Sequence, residues 1–160
     1  VEVDYRELQK TMAQGLMDFQ AKNFEAALPA FEAALEHGHV ECSLYAGVCA
    51  DELGHENEMV SYFTTYLSYN PDSAYACAQL ADYYLRQERY DTCRQYLDMG
   101  FASGDHSCDE QLKWIEIVYH EYQQDYNQAY RLIREYKETY EVTERVEREY
   151  NFLATRQTIE

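Results

Sequence analysis

Apolar residues recur at helical spacing along almost the whole chain. In the stretch NFEAALPAFEAAL from Asn23 to Leu35, Phe24, Ala27, Phe31 and Ala34 are three, four and three residues apart, which puts all four on one helical stripe. The stripe alternates large and small side chains, a pattern suited to close packing against another helix. Asp4-x-x-Glu7 resembles a capping box and opens a first helix to about Ala21, with Leu8, Met12, Leu16 and Phe19 apolar. Asn23 caps the second helix, which ends near His37-Gly38. Pro29 lies inside it and forfeits one backbone hydrogen bond, but the stripe continues through Phe31, Ala34 and Leu35, so the helix is read as unbroken. Further helices are predicted over about 40–53, ended by Gly54, over about 57–69, ended by Asn70-Pro71, and over about 73–86. Others follow over about 90–102, from a capping box Ser107-x-x-Glu110 to about 123, over 126–140 and over 143–157.

The helices come in pairs with short connections, which prompts a search for a repeat. Gly15 to Gly47 and Phe31 to Phe63 are each 32 residues, Phe63 to Leu97 is 34, and Leu97 to Ile133 is 36. A helix–turn–helix period of about 34 residues is the tetratricopeptide spacing. The chain resembles a tetratricopeptide repeat protein on these residues: Gly15, Phe24, Ala27, Phe31 and Ala34 in a first repeat, then Gly47, Phe63, Leu67 and Pro71 in a second. Leu80, Ala81, Tyr84, Tyr90, Leu97 and Gly100 carry the third, with Cys93 replacing Ala. Tyr126, Ala129 and Ile133 carry the fourth, where Ile117 replaces Gly.

The resemblance implies an all-α fold, a right-handed α-solenoid of about four helix pairs plus a C-terminal capping helix. It implies a single domain over 1–160, with repeats at about 8–39, 40–73, 74–109 and 110–142 and a cap at about 143–158. It also implies a concave groove, lined by the first helix of each pair, that takes a peptide or another protein. Carried over by register, the groove positions include Met12, Leu16 and Phe19 from the first repeat and Leu44, Asp51 and Glu52 from the second. Tyr75 and Asp82 come from the third, and Trp114, Glu121 and Tyr122 from the fourth. One branch of the family grips a C-terminal carboxylate with Lys, Asn and Arg side chains. Here the matching positions hold Met12, Leu16, Tyr45, Tyr75 and Gln79, so that role is rejected.

Charge narrows the partner. The formal charge is −17, from 13 Lys+Arg against 30 Asp+Glu, and no Lys or Arg occurs between Asn23 and Leu85. Nucleic-acid binding needs a basic footprint, and an anionic membrane surface would repel this one. The expected partner is therefore a neutral or basic protein segment, with no nucleic acid and no direct membrane binding. The alternative is a self-associating module, as in a homodimer, or a spacer in a longer polypeptide, in contact through its first or last helix. A third reading is the substrate-holding domain of a modifying enzyme.

Chemistry is sparsely signalled. His37-x-His39-x-x-Cys42 with Glu36 and Glu41 fits no recurrent zinc spacing and reads as turn residues plus a helical Cys, so neither metal nor cofactor is expected. No Gly-rich phosphate loop and no Cys–His or Ser–His pairing is indicated, so the chain reads as non-catalytic, with no catalytic residue assigned. Cys42, Cys49, Cys77, Cys93 and Cys108 are odd in number, and Cys49, Cys77 and Cys93 sit at small core positions. Reduced thiols acting as small hydrophobes favour a cytoplasmic setting. The alternative is an anchored cell-envelope protein whose anchor was removed, since the chain begins Val-Glu-Val-Asp without Met.

Overall fold

A computed structural model describes residues 4–158 of the chain. The first three and last two residues of the expected 1–160 domain lie outside the described residues. Among those described there are nine α-helices: α1 (Tyr5–Gln20), α2 (Phe24–Glu36), α3 (Cys42–Glu52), α4 (Glu56–Tyr69), α5 (Ala74–Arg86), α6 (Tyr90–Ala102), α7 (Asp109–Tyr122), α8 (Tyr126–Thr139) and α9 (Glu144–Ala154). The expected all-α helical repeat is the fold observed.

Local chemistry sets most boundaries. The Asp4 carboxylate accepts from the Arg6 and Glu7 amides at 3.0 and 3.3 Å. The Ser73 hydroxyl accepts from the Ala76 amide at 3.2 Å, and the Thr143 hydroxyl from the Val146 amide at 3.3 Å. Asn23 precedes α2 without a side-chain cap bond. The capping box expected at Ser107-x-x-Glu110 does not form: Cys108 is the N-cap of α7. The Asp105 carboxylate accepts the Ser107 amide at 3.0 Å, so this serine belongs to a turn one residue before the helix. Pro29 leaves α2 whole. Its position is exposed, so the Glu25 carbonyl it leaves unbonded can turn to water.

Four turns share one backbone solution. Lys22, Gly54, Glu88 and Gln124 each follow the first helix of a pair with φ between 59° and 75°. The amide after each donates to the carbonyl five residues back: Asn23 to Asp18, His55 to Ala50, Arg89 to Tyr84 and Asp125 to His120, at 2.8–2.9 Å. This is the helix-terminating motif that satisfies orphan carbonyls through a left-handed residue. These positions are 32, 34 and 36 residues apart, the same intervals as the apolar repeat.

The described residues fall into two compact units, one ending at Pro71 and one starting at Asp72. In the first unit α2 packs on α1 and α3, and α3 on α4. Its core joins Ala27, Phe31 and Ala34 to Ala46 and Cys49, with Phe19 and Tyr45 at the edge. Phe31 stacks on Tyr45 at 5.0 Å, and Phe19 meets both rings edge-on. In the second unit α5, α6 and α7 pack mutually, α8 packs on α7, and α9 on α8. Leu85, Cys93, Leu97 and Leu112 form one buried cluster; Ile117, Ala129, Ile133, Val146 and Leu153 form another.

Candidate binding pocket on α7

Trp114, Val118 and Glu121 lie four and three residues apart, hence on one face of α7. Within the second unit this face and its first turn border an open pocket of about 470 Å³, which Asp82 of α5, Glu110 and Trp114 of α7, Tyr136 of α8 and Arg145 of α9 help to line. The Trp114 ring sits edge-on to Tyr136 with centroids 5.5 Å apart. The Arg145 guanidinium lies over Trp114, 4.3 Å from the ring centroid. Tyr136 is buried and donates its hydroxyl to Glu110 Oε1 at 2.9 Å. Burial, and then that carboxylate, push the Tyr136 phenol up to about 12, so it remains a donor at neutral pH. Asp82 accepts from Arg86 Nε at 3.2 Å, an exposed pair one turn apart.

Two turns along the same face, Glu121 meets Glu149 of α9. Burial first, then the hydrogen bond to Glu149 and repulsion from its charge, push the Glu121 carboxyl up to about 8. The charge of Arg156 opposes the rise. Glu149 Oε1 is buried and meets no donor among the described residues. A proton shared by the two carboxyl groups supplies one.

The sequence-derived groove residues divide by environment. In the first unit Met12 and Phe19 are half-buried against the core, and Leu16 is 38% exposed. Leu44 and Asp51 are half-buried and Glu52 is exposed. In the second unit Asp82 and Trp114 come together at the pocket, and Glu121 joins Glu149. Tyr75 is half-buried, while Tyr122 is 51% exposed. Sequence reasoning missed Glu110, Tyr136, Arg145 and Glu149 as neighbours of this face. It gives α9 only as a C-terminal capping helix. No local spacing signals Tyr136, Arg145 and Glu149, because they reach this face from other helices.

Other candidate chemistry resolves into local contacts. His37 Nδ1 bonds the Ala33 carbonyl at 2.8 Å and His39 Nδ1 meets Glu41 at 3.2 Å. Among the described residues no three His, Cys, Asp or Glu side chains converge as a metal-holding group. Burial pushes the thiols of Cys49 and Cys77 up to about 11 and that of Cys93 up to about 12, the reverse of the shift that activates a nucleophile. No described helix is long and apolar enough to cross a membrane.

Paired helices closed by the same turn, in register over four repeats, define the tetratricopeptide-repeat fold, and the chain has that fold. It is similar to the crystal structure of MamA (TM-score 0.78, 14% identity), with 93% of this chain and 81% of that one covered. It is similar also to PilF of Pseudomonas aeruginosa (TM-score 0.72, 19% identity), covering 96% of this chain and 68% of that one. A tetratricopeptide repeat protein from Parabacteroides merdae matches at a TM-score of 0.72 and 14% identity, over 96% of this chain and 60% of that one. At these identities the likeness is one of fold. The sequence matches no family model and no curated protein.

Proposed function

We propose that the protein is a non-catalytic interaction module that binds a neutral or basic protein segment. The observation that carries this reading is the open pocket beside α7, which the half-buried Trp114 lines together with Asp82 and Glu110. Rigid aromatic anchors flanked by charge are the usual centres of protein recognition. The net charge of −17 favours a basic segment and disfavours a nucleic-acid or anionic-membrane partner. In the first unit Met12, Leu16, Leu44, Asp51 and Glu52 supply a second, less enclosed contact face on α1 and α3. Buried, protonated thiols accord with action in a reducing compartment such as the cytoplasm.

The test is calorimetric titration with a basic, a neutral and an acidic peptide at low and high salt. We expect the basic peptide to bind best, to weaken as salt rises, and to lose at least about tenfold in affinity with Trp114→Ala. Binding indifferent to both salt and Trp114 would overturn the reading. Self-association is the second reading, favoured by Tyr5, Leu16 and Met17 of α1, which are 69%, 38% and 63% exposed. A concentration-dependent dimer in sedimentation, abolished by Met17→Glu, would support it.

A further inference from the structure

We propose that the Trp114 pocket receives an arginine or lysine side chain of the bound segment, and that Arg145 of α9 occupies that place as an internal competitor. The inference rests on the function proposed above and assigns its central contact. An indole face is the best aromatic surface for a cation. Here one cation already lies over it, the Arg145 guanidinium at 4.3 Å. Asp82 and Glu110 line the same pocket, so the surroundings are those a cation selects. Two contacts hold the site in shape: the Tyr136 hydroxyl fixes Glu110, and the Tyr136 ring buttresses Trp114 from the side.

Arg145 is poorly suited to be the permanent occupant. It is exposed and stands in the first turn of α9, where the helix dipole disfavours a positive charge. An exposed cation–π contact is weak, so replacing it by a cation of the partner costs little. Asp82 is shared with Arg86 at 3.2 Å, again between side chains nearly half exposed, and this pair can open towards a new cation. The chain's own net charge of −17 supplies the long-range attraction for a basic segment. An acidic segment could instead use Arg145 as a direct anchor, and the two cases predict opposite effects of removing it.

The probe is acetyl-Gly-Arg-Gly-Arg-Gly-amide, with its Glu counterpart as the alternative. Affinity is read by calorimetry and occupancy by the emission of Trp114, the single tryptophan of the chain. We expect the Arg peptide to shift that emission and Arg145→Gln to tighten its binding about two- to fivefold. Arg145→Lys should bind like the parent protein. Arg148→Gln, which makes the same charge change one turn away, should tighten it less than Arg145→Gln. Asp82→Asn and Glu110→Gln should each weaken it. The inference is overturned, with the interaction module left standing, if the Arg peptide binds without moving Trp114 emission, or if Arg145→Gln weakens binding or acts no differently from Arg148→Gln. Preferential capture of the Glu peptide, lost in Arg145→Gln, overturns it in favour of a carboxylate anchor. Absence of any binding to either peptide and to a Gly-Ser control removes both the inference and the function it rests on.

Discussion

In the first unit, paired helices meet through glycine. A Cβ at Gly15 would lie 2.7 Å from Ala30 Cβ, and one at Gly47 would lie 2.5 Å from the Phe63 ring. The corresponding positions of the second unit are Ala81 and Ile117, and both side chains are buried. Packing there is joined by charge. Arg94 reaches Asp98 at 2.6 Å and Glu116 at 3.0 Å and lies over the Tyr119 ring, while Lys137 sits over Tyr150 and bonds Glu147. The contrast has a compositional cause. The first unit carries only Arg6, Lys10 and Lys22 as its Lys and Arg, all before α2, so α2 to α4 cohere by shape and by uncharged donors such as the Tyr62 hydroxyl, which donates to Glu32 Oε2 at 2.8 Å. The second carries the other ten of the 13. The lesson is that one repeat geometry can be held by close apolar fit or by a polar lattice.

The largest effect that would probe this contrast is Phe31→Ala in the first unit. Phe31 is 1% exposed and packed by the Phe19 and Tyr45 rings. The loss should be about 3–5 kcal/mol in urea unfolding. A loss under about 1 kcal/mol would mean that this core is looser than its contacts imply.

Gly47→Ala and Gly100→Ala sharpen the comparison. At Gly47 the added methyl meets the stiff, fully buried Phe63 ring at 2.5 Å. At Gly100 it meets the Leu112 methyls at 3.0 Å and Cys77 Cβ at 3.2 Å, an approach several tenths of an ångström looser than at Gly47. Gly47→Ala should cost about 1–3 kcal/mol and Gly100→Ala distinctly less. The reverse order in thermal unfolding would dissolve the distinction between the two kinds of packing.

The smallest effect concerns the Glu121–Glu149 pair. A carboxyl whose folded pKa exceeds its unfolded one holds its proton more tightly in the fold. Stability is therefore fullest below the ordinary pKa of 4.5 and declines as pH rises towards about 8. We expect a decline on the order of 1 kcal/mol, limited by solvent screening of the partly exposed pair. Glu149→Gln should flatten it. A slope unchanged in that variant would assign the pH dependence elsewhere.

Much of this was legible in the chain. The Phe24–Ala27–Phe31–Ala34 stripe, the period near 34 residues and the cap at Asp4 are local patterns, and each appears in the fold as read. The failure at Ser107 has a local cause too: two short-range options competed for that serine, and the Asp105 turn prevailed. The candidate site was legible only in part. Asp82, Trp114 and Glu121 follow from repeat register, but register says nothing about which charges arrive from the next helix.

Periodicity along one helix is written in the sequence because backbone geometry turns spacing into a face. That sufficed for the helices, their pairing and the apolar stripe from Asn23 to Leu35. The meeting of Arg145 with Trp114, of Tyr136 with Glu110 and of Glu121 with Glu149 spans 20 or more residues each time, and it was decided by how α7, α8 and α9 pack. Such contacts depend on the angle and separation between helices, which are set by the summed volumes of the core beneath them and by no short stretch of chain.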